Sequence, residues 1–390
     1  MAGGSGGTWW KWGLPVGIGI VAAAMAMEHF GPHWPLPVNA MLALGGLLTI
    51  AGSCEVMILA AVGLAGKLRW NEYVAGVIAG LASNLPEIAM LAFVVAADVR
   101  IAFVVTLLTL HINVLVFSIF CVLMPRDEHG HASLPKAISV LGSDMLACAA
   151  GLMIAMGFLM IAMSSFDGGG HAGEGLGLWD LLMIAAALLA VMVVYLRSLI
   201  RRFSGTSTEA GAEQAEGGTT RASASWGMIA FYGGLGSIGA LIGGHAVGDF
   251  ADNLVGFLRG EGYSEMIGAI VVAFLAGMPA YILVTSAHLK GKTQLALSNV
   301  FGAIVQVPFV ILPAVLLFAA LLSGLGVVPL LPEGGILAID LETVSVILFG
   351  FPTLLVLWKS ITDDGAVNKL ETTIMLALFA LVLYFLAVHG

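Results

Sequence analysis

A stretch of roughly fifty residues occurs twice in this chain, and the second copy lacks an acid that the first keeps. The first copy reads Gly80-Leu-Ala-Ser-Asn-Leu-Pro86-Glu87 and continues to His111-Ile-Asn113. The second reads Ala273-Phe-Leu-Ala-Gly-Met-Pro279-Ala280 and continues to Ser298-Asn299-Val-Phe-Gly302. Pro86 and Pro279 stand 193 residues apart, and at that offset the match extends on both sides without a gap. A duplicated run of apolar helices is the sequence mark of a transporter built from two repeats.

The copies sit in a chain that is 59% hydrophobic and only 10% charged, with a mean hydropathy of +1.03. Such a composition cannot cover a water-facing surface, so the chain belongs in a bilayer. Spans of roughly 20 apolar residues are expected near Leu14–Phe30, Pro37–Ala65, Glu72–Ala97, Ile101–Met124, Leu134–Met163, Leu176–Leu199, Trp226–Leu258, Ser264–His288, Leu295–Leu322, Gly335–Trp358 and Leu370–Val388. Cys54, Cys121 and Cys148 fall in apolar runs without metal-ligand spacing and read as packing residues. Arg201–Ser225, rich in Gly, Ser, Thr and Glu, is the one clear hydrophilic linker, too short for a folded regulatory domain. The expected organisation is therefore an extra N-terminal helix in residues 1–36, a five-helix repeat in 37–200, the linker in 201–225 and a second five-helix repeat in 226–390.

Charge distribution supports that count. With a cytoplasmic N-terminus, 13 of the 15 Lys and Arg fall on the cytoplasmic side, and only Arg100 and Arg259 fall outside. Five helices per repeat is an odd number, so the second repeat enters the membrane from the opposite face. The fold class expected is an all-α polytopic membrane protein with a ten-helix core of two inverted repeats. Their matched segments lie on a pseudo-two-fold axis near the bilayer midplane. The first helix lies outside the duplication; Lys11, a short apolar run and Ala24-Met-Ala26 also fit a signal peptide, but a retained helix is the preferred reading.

Within the repeats, Pro86 and Pro279 are each expected to break a helix at mid-depth, and irregular backbone there is tolerated only where it is buried in protein or lines a cavity. Asn84 and Glu87, three residues apart, share one helix face. A carboxylate retained at that depth, at a cost of at least about 2.5 kcal/mol, meets a cation or holds a proton, which makes Glu87 the first choice for a cation or metal ligand. Ser83 and Asn84 either join it or hydrogen-bond a neighbouring helix. His111 reads equally as a proton acceptor or as a core histidine donating to a carbonyl. Thr109, Asn113, Asn299 and Gln306, which matches Asn113 at the repeat offset, line the cavity or bind helices together. Asp249 and Glu55 are candidates for the missing second charge. Asp252 fits a solvated mouth, and Asp98 with Arg100 reads as a solvated pair at a helix end.

Pro37–Pro125 and Gly239–Pro313 resemble the two alpha repeats of the cation/calcium exchanger superfamily, which includes sodium/calcium exchangers and calcium/proton antiporters. The family's Gly-Thr-Ser-Leu-Pro-Glu turn appears as Ala82-Ser-Asn-Leu-Pro-Glu87, and its second turn as Leu275-Ala-Gly-Met-Pro-Ala280. The segment Ala287-His-Leu-Lys-Gly-Lys-Thr-Gln-Leu-Ala-Leu-Ser-Asn299 follows, ending in Val-Phe-Gly302. The resemblance implies the exchanger fold and a cation held by the turn acids with nearby hydroxyls and amides. The departures sit at that site: one Glu survives, and Thr106, Thr109, His111 and Asn113 stand where the family has an Asn-x-x-Gly-Ser-Asn pattern.

These readings predict a secondary cation antiporter of the sodium/calcium exchanger type. It would exchange calcium or sodium against sodium or protons by alternating access, with no cofactor, in a bacterial inner membrane. Its partners would be the bilayer and inorganic cations, with no nucleic acid; the oligomeric state is open. Calcium, which takes about six to eight oxygens and several carboxylates in tight sites, fits one certain Glu less well than a monovalent ion. The alternative is an exchanger-fold protein that moves no cation and serves as a complex subunit or carries another substrate. No catalytic constellation or phosphate-binding loop points to an enzyme. The topology has a direct check: in a cysteine-free background, an impermeant thiol reagent added to intact cells labels Gly169→Cys, in the expected outer loop Phe166–Gly175, and leaves Ser207→Cys, in the linker, unlabelled.

Overall fold

The computed structural model describes residues 9–30, 35–68, 80–82, 84–124, 132–134, 142–166, 175–203, 225–289, 293–331 and 334–389. Its helices are α1 (Trp10–Phe30), α2 (Pro35–Lys67), α3 (Leu85–Ala97), α4 (Val99–Leu123), α5 (Ser143–Phe166) and α6 (Leu178–Phe203). They continue as α7 (Trp226–Gly260), α8 (Glu265–Leu289), α9 (Thr293–Gln306), α10 (Leu312–Gly324), α11 (Leu341–Asp364) and α12 (Lys369–His389). Among the described residues ten stretches are long and apolar enough to cross a membrane, and the shorter apolar Glu265–Met278 falls where the span Ser264–His288 was expected. The protein is an all-α polytopic membrane protein: ten core helices in two repeats, preceded by one additional helix. Linker residues 204–224 and loop residues 167–174 lie outside the described set.

The helices gather into two compact units, and each repeat contributes to both. The first unit comprises the described parts of Met1–Met90 and Ala190–Phe250. In it α2 and α7 cross with their backbones in direct contact. A Cβ on Gly46 would lie 3.1 Å from the Gly243 carbonyl oxygen, and one on Gly243 would lie 2.9 Å from the Gly46 carbonyl oxygen and 3.0 Å from the Ile50 nitrogen. Further along, Gly239 meets Ser53 and Gly236 meets Met57, so α7 descends as α2 climbs and the pair is antiparallel. Ile50 and Gly243 are themselves related by the 193-residue offset. Matched residues touch one another only on the symmetry axis, and matched helices run antiparallel only when that axis is perpendicular to them. The crossing therefore carries the inverted-repeat relation. It also uses the small residues of Gly233-Gly-Leu-Gly236-Ser-Ile-Gly239 within the chain, at Gly236 and Gly239.

The second unit comprises Leu91–Leu189 and Ala251–Gly390 and is centred on α4, every residue of which from Ile101 to Val114 is buried. Helices α8, α9, α11 and α12 pack around it, and α5 lies on α11 with Gly157 against Leu348 and Gly350 against Met153. Helix α9 continues through a π-helical turn, Val307–Ile311, into α10. Pro308 in that turn has no N–H to donate, which favours the local widening. Two short loop ties, the antiparallel pair Ala132–Ser133 with Ala366–Val367 and a bridge between Leu176 and Leu337, are the β-structure of the described residues.

Three expectations are corrected here. Helix α8 runs unbroken from Glu265 to Leu289, through position 279. The first turn has Ser83 and Asn84 before its proline, residues whose side chains compete for backbone hydrogen bonds, whereas Gly277-Met278 supplies none. Helix α11 begins at Leu341 rather than Gly335, because Asp340 caps it: its Oδ1 accepts from the Thr343 nitrogen at 2.9 Å while Thr343 Oγ1 accepts from the Asp340 nitrogen at 3.1 Å. Asp98 is not the partner of Arg100. It caps α4, accepting from the Ile101 nitrogen at 3.0 Å, while Arg100 binds Asp340 and, at 2.9 Å, Glu342. Arg259 binds Glu265 through two 2.8 Å bonds. Both cations that break the positive-inside pattern are thus tied to carboxylates.

The α2–α7 crossing yields a test. Gly243→Leu places a side chain against backbone that cannot withdraw, and overpacking of this kind costs about 1–3 kcal/mol. Thermal unfolding in detergent is expected several degrees lower, whereas Gly256→Leu on the same helix, where a Cβ meets nothing within 4 Å, leaves it unchanged.

Candidate functional site

The turn that carries Glu87 is a helix start. Residues 80–82 are helical, the helix stops, and α3 begins at Leu85, with the Asn84 carbonyl accepting from the Ile88 nitrogen at 2.9 Å. Asn84 is thus the cap, Pro86 stands in the first turn where its missing N–H removes no helix bond, and Glu87 occupies the third helical position. An anion there faces the positive end of the helix dipole. Asn84 is buried and Glu87 half-buried; Ser83 lies outside the described residues.

The first unit holds further polar groups on α2 and α7. Glu55 adjoins the buried Cys54 on α2. On α7, a Cβ at Gly244 would lie 2.8 Å from the Met90 nitrogen, so α7 lies against α3 one turn beyond Glu87. The next residue, His245, places Nδ1 3.3 Å from Asp249 Oδ1. Asp249 was anticipated and His245 was not, although its place four residues before an acid on an apolar helix was the available signal. The Glu55 carboxylate points elsewhere, to the start of α1, where its Oε2 accepts from the Trp10 nitrogen at 2.9 Å.

The second unit holds the other candidates. Thr106 and Thr109 are buried on α4, their hydroxyls donating to the carbonyls of Ala102 and Val105 at 2.7 and 2.9 Å. Each oxygen keeps lone pairs for a further partner. Asn113 is buried and, among the described residues, makes no side-chain hydrogen bond. Gln306 is buried at the end of α9, just before the π-helical turn, and Asn299 lies within α9. His111 is fully engaged: its Nε2 lies 3.2 Å from the Val346 carbonyl and its Nδ1 lies 3.3 Å from Thr353 Oγ1. A carbonyl only accepts, so Nε2 carries a proton, and the ring ties α4 to α11. Asp252 lines a small cleft with Asp98, Ile101, Val255 and Arg259. Among the described residues no group of three or more His, Cys, Asp or Glu side chains forms a metal cluster.

Comparison with known proteins bears on this arrangement. A family model described as "Sodium/calcium exchanger protein" matches residues 228–388, and no curated protein matches the sequence. Among solved structures, the H+/Ca2+ exchanger CAX superposes with a TM-score of 0.67 at 14% identity, over 96% of this chain and 88% of its own. The chain has the exchanger fold, and its second half matches the sodium/calcium exchanger family model. YfkE shares the fold with a TM-score of 0.61 at 14% identity, over 97% and 99% of the two chains. The sodium-calcium exchanger NCX_Mj matches with a TM-score of 0.53 at 16% identity, over 89% and 98%. In this exchanger-fold protein the first turn keeps its acid at a broken helix, and the second, with Ala280, lies in an unbroken one.

The His111 geometry predicts a structural effect. His111→Ala removes two buried hydrogen bonds and leaves a cavity, and is expected to destabilise by about 2–4 kcal/mol. Thr353→Val removes the contact with His111 Nδ1 and the hydroxyl's own bond to the Phe349 carbonyl, and is expected to destabilise by about 1–2 kcal/mol. Thermal unfolding of purified protein measures both, and any cation flux of Thr353→Val stays near that of the parent.

Proposed function

We propose that the protein is a secondary cation antiporter of the sodium/calcium exchanger type. It exchanges calcium or sodium against sodium or protons at a site built on Glu87, in a bacterial inner membrane with the N-terminus cytoplasmic. The observation that carries this reading is Glu87 in the first turn of α3, directly after a helix break, in a fold shared with an H+/Ca2+ exchanger. A carboxylate at an N-terminal helix end binds a cation when ionised and a proton when neutral, and one group alternating between the two suffices for antiport.

The charge around the site favours a monovalent ion or a proton on at least one side of the exchange. Glu55 is bonded to the start of α1, Asp249 is paired with His245, and Ala280 offers nothing. Glu87 with the neutral oxygen of Asn84 balances one positive charge, and the candidate polar residues Thr109, Asn113, Asn299 and Gln306 are all uncharged types. Calcium, with about six to eight oxygens to satisfy, needs a second carboxylate, for which Asp249 is the candidate. The unbroken α8 favours a second reading, in which the exchanger fold is retained for a task without cation flux.

Liposomes containing the purified protein distinguish the two. Under imposed calcium, sodium and proton gradients, the parent is expected to exchange at least one cation and Glu87→Gln to lose that flux. Absence of flux for all three ions, or flux that survives in Glu87→Gln, overturns the proposal.

A further inference from the structure

The additional helix α1 is bound into the first unit more tightly than a passing span requires. Its axis lies on α2 through small residues on both sides. A Cβ on Gly17 would sit 2.6 Å from the Thr49 nitrogen and 2.9 Å from the Gly45 carbonyl oxygen, and one on Gly52 would sit 3.0 Å from the Leu14 nitrogen. Thr49, buried at this seam, turns its hydroxyl back to the Gly45 carbonyl at 2.7 Å and so exposes no unsatisfied donor to α1. Helices in lipid associate through such close backbone approach, because lipid tails are as apolar as the helices themselves.

Both ends of α1 also reach α7. Near its C-terminal end Val21 and Ala24 are buried with Val38 and Leu42 of α2 and Ala246 of α7. At its N-terminal end the Trp10 ring meets Tyr232 edge-on, with centroids 5.9 Å apart. The same end supplies the polar fastening. Trp9 accepts from the Gly13 nitrogen at 2.7 Å, so Trp10 is the first helical residue and its N–H has no partner within α1. Glu55 of α2 fills that vacancy with its carboxylate, a charge-assisted bond at the positive end of the α1 dipole.

We infer that Glu55 is the anchor that locks α1 onto the α2–α7 pair. On this account α1 is a permanent third helix of the unit that carries Glu87, retained in the mature protein, and the Glu55 charge serves docking rather than cation binding. Ala24, which opens the small-residue pattern resembling a signal-peptide cleavage site, is fully buried in that packing. Loss of α1 would strip the glycine seam and take the Trp10 N–H away from an intramembrane carboxylate. The inference stands independently of which ion, if any, is moved.

The test uses the full chain in lipid nanodiscs. Intact-mass measurement on protein purified from membranes is expected to include residues 1–30, and a chain beginning after Ala26 overturns the inference. Hydrogen exchange of α1 amides then reads the anchor. Trp10→Pro removes the donor at a position where proline suits a helix start, and Trp10→Ala removes the ring and keeps the donor. Exchange is expected about tenfold faster in Trp10→Pro than in Trp10→Ala, as for loss of one charge-assisted hydrogen bond. Equal protection in the two overturns the anchor. Glu55→Gln, which keeps an acceptor, is expected to retain any flux the parent shows; loss of flux with α1 still protected makes Glu55 a cation ligand instead. A parent without flux defeats the antiporter proposal and leaves the mass and exchange results to decide the anchor alone.

Discussion

The backbone contact between α2 and α7 is the constraint on which the first unit rests. In hydrocarbon no solvent drives two apolar helices together, so they associate where small residues let them approach. Gly46 and Gly243 provide that approach at the point where the repeat relation maps one helix onto the other. Once the crossing is fixed, Gly45, Thr49 and Gly52 face α1, while Gly244 faces α3 at Met90. The position of Glu87 thus follows from two helix contacts, each made possible by a missing Cβ.

The second unit is organised differently. Helix α4 is buried over four turns, and its polar residues divide by what satisfies them. Thr106 and Thr109 bond back to their own helix, His111 bonds to α11, and Asn113 alone has no hydrogen bond among the described residues. A satisfied histidine is a scaffold group; a buried amide with open valences is suited to a passing ion.

Much of this was legible in the sequence because the bilayer imposes simple rules. The apolar stretches, ten of which are long enough to span among the described residues, and the repeat at a constant offset follow from length, composition and self-similarity, none of which needs side-chain packing. The break before Glu87 was legible from Pro86, with Asn84 as the cap just before it. The continuous α8 was not, since a proline alone signals a break whether or not its neighbours support one. Partners distant in sequence were also hidden. Arg100 looks to Asp98 two residues away but bonds across 240 residues to Asp340, and Glu55 bonds to the main chain of Trp10, which no side-chain pattern announces. His245 needed only the observation that it shares a helix face with Asp249.

The central claim is that one carboxylate, Glu87, exchanges a proton for a cation. Infrared difference spectroscopy on the reconstituted protein tests it without reliance on flux: addition of the transported cation is predicted to remove a protonated-carboxyl band that is absent from Glu87→Gln. A carboxyl signal that does not respond to any cation, or that persists unchanged in Glu87→Gln, would contradict the account.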